Sequence, residues 1–220
     1  MKILILVIVG LISFQSLAAE HTHAHDPSVK LNFFSKDLGY ADAVATQRIR
    51  VVGGKMTGFA KNSREKQKIL DSYAIIEAVF NSETFKERVI NFKSSDGKRA
   101  YTSNRGMTNE QIYEFLMRAQ ELVGAPNSEF EMDFDVRRYS RFWSKVIGYT
   151  NPGKNNLINV NSRFYSKFEL HQVSSNIAHE WIHLMGFFHD SARDRDSVPY
   201  AVGYIVSDLA AQFIRDGYID

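Results

Sequence analysis

From Phe130 to Val136 the chain alternates without a break. Phe130, Met132, Phe134 and Val136 are apolar, and Glu131, Asp133 and Asp135 are acidic. A period of two predicts a strand with one buried face and a solvated acidic face. Upstream the period lengthens. Ile69, Tyr73, Ile76 and Phe80 recur at three- and four-residue spacing, a helix that Ser63 starts. Ser82 starts a shorter helix carrying Phe85, Val89 and Ile90. Thr108 and Gln111 spell a capping box. The helix behind them buries Ile112, Phe115, Leu116, Ala119 and Leu122, and stops at Gly124 before Pro126. Residues 45–52 read as a first strand that Gly53-Gly54 ends, and residues 94–105 as a loop around a short strand at 100–102. No G-x-G-x-x-G or G-K-[ST] follows those glycines, so they are not a nucleotide loop.

Further strands are expected at 142–150 and 157–160, joined by the turn cluster Asn151-Pro152-Gly153-Lys154-Asn155-Asn156 and paired as a hairpin, with Asn159 and Asn161 exposed. A helix starting near Ser174 or Ser175 presses Ile177, Ala178, Trp181, Ile182 and Leu184 against the sheet. A charged loop at 191–197 leads to a last helix, from Pro199 to about Arg215, with Tyr204, Ile205, Leu209 and Phe213 on its apolar face. The fold class these elements define is α+β.

Composition narrows the setting. The chain has 220 residues, 44% of them hydrophobic, and no internal repeat, which suits one globular domain. A net charge of +2 gives no overall steering towards nucleic acid or membrane. There is no cysteine, which excludes disulfides, a cysteine-linked lipid anchor and a thiolate on a metal. Met1-Lys2, an apolar run over 3–12 and Ser16-Leu17-Ala18-Ala19 have the layout of a signal peptide at 1–19. The expectation is a secreted or periplasmic protein with no membrane span after cleavage. Residues 20–44 read as a flexible segment holding His21, His23 and His25, either a solvated terminus or a metal-binding tract. The folded domain then occupies 45–220.

The densest chemistry is His179-Glu180-Trp181-Ile182-His183-Leu184-Met185-Gly186-Phe187-Phe188-His189-Asp190, which reads H-E-x-x-H-x-x-G-x-x-H-D. Residues four apart on a helix share one face, one turn apart. Two imidazoles so placed each reach one Zn²⁺ at about 2.0–2.1 Å. Glu180, rotated by about 100°, misses the metal but reaches its water as general base. Gly186 accepts positive φ, so the helix can stop and the chain bring His189 round as third ligand. Three protein ligands leave an open position, the mark of a catalytic zinc site. A chance match at five fixed positions has a probability on the order of 10⁻⁵, so histidines scattered on a packed helix are a poor account. No glutamate follows Glu180, so a downstream glutamate ligand is excluded; Asp190 and Asp194 remain alternatives to His189.

On these residues the chain resembles the metzincin clan of zinc metalloendopeptidases. The resemblance is close over 179–190 and implies a metzincin-like zincin fold. A mixed twisted sheet and helices would stand above a horizontal substrate cleft, and a small C-terminal subdomain with the final helix below it. It makes His179, His183 and His189 the zinc ligands, Glu180 the catalytic base, and an exposed sheet edge the site where an extended peptide pairs. Asp190 is similar to the adamalysin-like branch. The clan also has a methionine in a turn beneath the metal. Here no methionine follows Met185, and residues 197–200 are the candidate for that turn, Val198 and Pro199 supplying an apolar floor. Tyr200 is either a packed aromatic or a hydroxyl donor to the oxyanion. The implied partner is a protein or peptide substrate, met by a monomer. The other functional class is a non-catalytic zinc-binding or zinc-handling secreted protein. A third is a protease-derived binding module. Glu180 weighs against both, because holding zinc needs no base.

Overall fold

The computed structural model describes residues 48–123, 130–189 and 194–218. The expected signal peptide, the His21/His23/His25 segment, residues 45–47, Gly124, Pro126 and Asp190 lie outside them. Ten elements follow in order: β1 (Arg50–Thr57), α1 (Arg64–Phe80), α2 (Glu83–Ile90), α3 (Asn109–Arg118), β2 (Glu131–Tyr139), β3 (Gly148–Tyr149), β4 (Leu157–Asn161), α4 (Ser162–Tyr165), α5 (Leu170–Leu184) and α6 (Val198–Arg215). The four strands form a mixed sheet in the order β1-β2-β4-β3. β2 pairs in parallel with β1 and β4, and β3 returns antiparallel to β4, the expected hairpin. The fold is α+β.

The helix starts follow their polar signals. Ser63 accepts from the Lys66 amide, Ser82 from that of Phe85, and Thr108 and Gln111 form both halves of their box. Each satisfies an amide that a helix N-terminus leaves unpaired. α3 ends sooner than its apolar pattern. Ala119 turns left-handed at φ 50°, and Leu122 is 51% exposed. The turn delivers the Leu122 amide to the Leu184 carbonyl at 2.9 Å and the Glu121 carboxylate to the Trp181 indole N–H. A buried donor is satisfied at the cost of one apolar residue.

Three strand expectations need correction. β1 runs through Gly53-Gly54 instead of ending there, with an irregular register between Gly53 and Met56. A side chain at 53 would overlap the Tyr73 ring, and one at 54 the Asp135 carboxylate, so these glycines admit close approach. Residues 100–102 form only a bridge from Thr102 to Ser197. Of 142–150 only Gly148 and Tyr149 are strand. The rest is a loop, with Trp143 89% exposed, and it covers the outer face of β4. Asn159 and Asn161 are therefore fully buried, not exposed. Asn159 donates to the Tyr149 carbonyl at 3.2 Å, and Asn161 to those of Val146 at 3.1 Å and Arg141 at 3.4 Å. Two buried amides thus replace the missing ladder.

α5 starts at Leu170, not at Ser174 or Ser175. The Glu169 amide donates to Gln172 at 3.0 Å, while Ser174 bonds back to the Leu170 carbonyl inside the helix. α5 also packs mainly on α1 and α6, with smaller contacts to β3 and β4 of the sheet. Phe80 meets Trp181 edge-on at 5.7 Å, and the Ser175 hydroxyl donates to the Gly203 carbonyl at 2.8 Å. α6 shares one buried cluster with α1, α2 and α5, so the C-terminal helix encloses no separate subdomain core among the described residues. Its first turn meets α5 at His179, where Tyr200 lies beside the His179 ring.

Candidate metal centre

α5 presents His179 and His183 on successive turns, their Nε2 atoms 3.2 Å apart. Past Leu184 the helix closes with Met185 and with Gly186 at φ 89°. The Gly186 amide bonds the His183 carbonyl at 2.9 Å, and the Phe187 amide that of Ile182 at 3.3 Å, the paired bonds of a Schellman turn. That reversal carries His189 back until its ring lies 5.3 Å from His179 and 4.9 Å from His183, centroid to centroid. The three histidines offer ring nitrogens that all lie within 4.8 Å of one another, a group able to hold a metal ion.

The donor set fits a tetrahedral ion. Bonds of about 2.0–2.1 Å at tetrahedral angles set ligand nitrogens about 3.3 Å apart, close to the His179–His183 separation. The same turn orients one ligand: His183 Nδ1 donates to the Phe187 carbonyl at 2.7 Å, leaving Nε2 as the lone-pair nitrogen. His179 bonds the backbone of Pro199, whose only polar group is its carbonyl, so a ring N–H is the donor. Burial, with the neighbouring imidazoles, pushes the His179 pKa down to about 3, and burial pushes that of His183 down to about 4. Both rings are neutral at physiological pH, the form that ligates metal.

Glu180 is 4% exposed, and burial raises its carboxyl to about 8. Its neighbour across the cleft is Gly148 of β3. A Cβ at 148 would stand 2.9 Å from both Glu180 Oε1 and Asn176 Oδ1. Asn176, one turn before Glu180, accepts the Tyr165 hydroxyl at 2.8 Å. If Glu180 is a general base, Gly148→Ala should keep metal binding but displace the carboxyl and lower kcat at least about tenfold, as small misplacements of reacting groups do. Unchanged kcat in that variant would show that Glu180 has room to move.

His179, Glu180, His183, His189 and Tyr200 all line one cleft of about 820 Å³, with β3 and the segment before it as a wall and α6 along it. The Tyr200 ring lies 4.6 Å from His179 and 4.5 Å from His189. It is beside the histidines and not in the core. Residues 197–200 are no irregular turn: Ser197 caps α6, and Val198, Pro199 and Tyr200 form its first turn. Asp194 faces away, accepting from the Thr102 hydroxyl and the Asp196 amide. His171 sits 3.7 Å from Glu169 at the start of α5. Gly148, Asn176 and the carbonyls of Phe187 and Pro199 had no signal in the sequence. No protein-family model matches the chain, and no curated protein is significantly similar to it.

Proposed function

We propose that this protein is a secreted or periplasmic zinc endopeptidase of metzincin-like architecture, acting as a monomer on protein or peptide substrates. The observation that carries the reading is one juxtaposition: three imidazoles converge beside a buried carboxyl on the floor of an open cleft. His179, His183 and His189 would hold the ion. Bound Zn²⁺ supplies Lewis acidity and makes water nucleophilic near neutral pH. Glu180 takes a proton from the attacking water as the new C–O bond forms at the peptide carbonyl. It then gives that proton to the amide nitrogen as the C–N bond breaks. β3 is the sheet edge beside the cleft, where an extended peptide would pair by strand addition. The rival reading, zinc handling, gives no reason to bury a carboxyl next to the ligands, which is costly.

Metal analysis of the mature protein, with a peptide-library cleavage assay before and after chelation, tests this. One zinc per chain and chelator-sensitive cleavage are expected; cleavage that survives complete metal removal overturns the reading. Tyr200, placed beside two ligands, is assigned as a donor to the carbonyl oxygen. Tyr200→Phe should lower kcat roughly 10- to 1,000-fold with zinc affinity and melting unchanged, the signature of a lost oxyanion donor. A kcat equal to wild type would make Tyr200 ordinary packing.

A further inference from the structure

We propose that the cleft selects anionic peptide segments, and that Arg195 and Lys145 are the residues that determine this. The inference rests on the peptidase reading and adds its substrate class. Among the described residues lining the cleft, Glu180 is the only carboxylate, and it lies at the floor. Lys145 on the segment leading into β3 and Arg195 on the segment leading into α6 are the lining cations, and both are exposed. Some cations elsewhere on the surface are paired, as Arg50 is with Glu131, Arg88 with Asp208, Arg99 with Glu110 and Arg138 with Glu65. What sets the cleft apart is its lining: two cations and no carboxylate near its mouth. Lys145 and Arg195 make no ion pair with any described carboxylate.

The acids that would neutralise Arg195 are committed in other directions. Asp194 binds the Thr102 hydroxyl. Asp196 accepts from the Ser95 amide at 2.8 Å and from its hydroxyl. Asp208, one turn beyond Tyr204, leans to Arg88 at 3.5 Å. Arg195 itself lies over the Tyr204 ring, 5.0 Å from the centroid. A guanidinium held on an aromatic face keeps its N–H edge available for a bidentate carboxylate. Tyr204 stacks on Tyr200 at 6.2 Å, and Tyr200 touches His179 and His189. Two rings one turn apart on α6 therefore link this cation to the metal centre, which puts it along the path of a bound peptide. The chain's net charge of +2 is too small to impose such a preference at a distance. The selection is local to the cleft.

The test uses three fluorescein-labelled peptides that share a neutral core and carry Asp, Asn or Lys at the flanks. Their affinities are measured on metal-loaded Glu180→Gln protein, and their cleavage on metal-loaded wild type. The Asp peptide should bind roughly tenfold tighter than the Asn peptide at low ionic strength, with the Lys peptide weakest, and salt should shrink the gap. The double variant R195E/K145E should reverse the order. Both positions are exposed, so its melting should match wild type. Arg195→Lys should fall between, because it keeps the charge and loses the planar fork. Equal affinities, a preference for the Lys peptide, or no binding of any peptide overturns the inference. Cleavage of all three at equal rates leaves the peptidase reading standing without the selectivity. Charge-ordered binding with no cleavage leaves the selectivity standing and overturns the peptidase.

Discussion

Glu180→Gln should keep one metal per chain and an unchanged fold while hydrolysing peptides about 10²–10⁴-fold more slowly, the usual worth of a general base. The substitution is nearly isosteric, so it leaves no cavity beside Gly148, where a single added Cβ would already crowd the side chain. It also costs little stability. With its pKa at about 8, the Glu180 carboxyl of the metal-free protein is mostly protonated at neutral pH, and an amide replaces one neutral group by another. The imidazoles keep their backbone acceptors on Phe187 and Pro199, so zinc affinity has no reason to fall. Zinc content, melting temperature and kcat/KM measured on one preparation decide it. Turnover within a few-fold of wild type would remove the base from the mechanism, and lost zinc would make Glu180 a ligand.

Metal removal should have the other large effect, and it should be pH-dependent in a specific way. At about 1,000 times its Kd, zinc stabilises the folded chain by about 4 kcal/mol. At about 2–4 °C per kcal/mol, that is roughly 8–16 °C in melting temperature. The metal-free protein should be most stable near pH 6.5. Glu180 has its pKa raised from 4.5 to about 8, so its contribution is fully present below 4.5 and is lost as pH rises towards 8. His179 and His183 are lowered from 6.5 to about 3 and about 4, so theirs is fully present above 6.5 and is lost as pH falls through those values. Between 4.5 and 6.5 two histidines outweigh one carboxyl. Above 6.5 only the carboxyl's decline remains, and Glu180→Gln should abolish it. Melting curves of chelated wild type and variant across pH 4–9 read this directly. A decline above pH 6.5 that persists in the variant would assign it to other groups.

The three histidines were legible because a helix forces its spacing on them. Residues four apart must share a face, and a glycine three places beyond is where the chain can reverse. Helix starts were legible for a similar reason, since Ser63, Ser82 and Thr108 each act on amides only two or three residues away. What failed was non-local. Asn159 and Asn161 carry the polarity of exposed positions, yet a loop that begins twenty residues earlier buries them. Gly53-Gly54 has the composition of a turn, but its cause is the Tyr73 ring and the Asp135 side chain across the sheet. α5 begins four or five residues before Ser174 and Ser175 because a Glu169–Gln172 capping box starts it, and glutamate is an uncommon cap. Gly148 could not be seen at all, since its meaning comes from Glu180, 32 positions away in the chain.

The Phe187 carbonyl accepts from His183 Nδ1, and the Pro199 carbonyl accepts from a ring nitrogen of His179. These acceptors belong to the main chain, so no point substitution can delete them. Orientation of the centre is thereby insulated from mutation in a way that a carboxylate partner would not be. The residue types at 187, 198 and 199 can drift as long as the helix ends hold their course. The support beneath the histidines is written in backbone path, where exchanging a side chain leaves it intact.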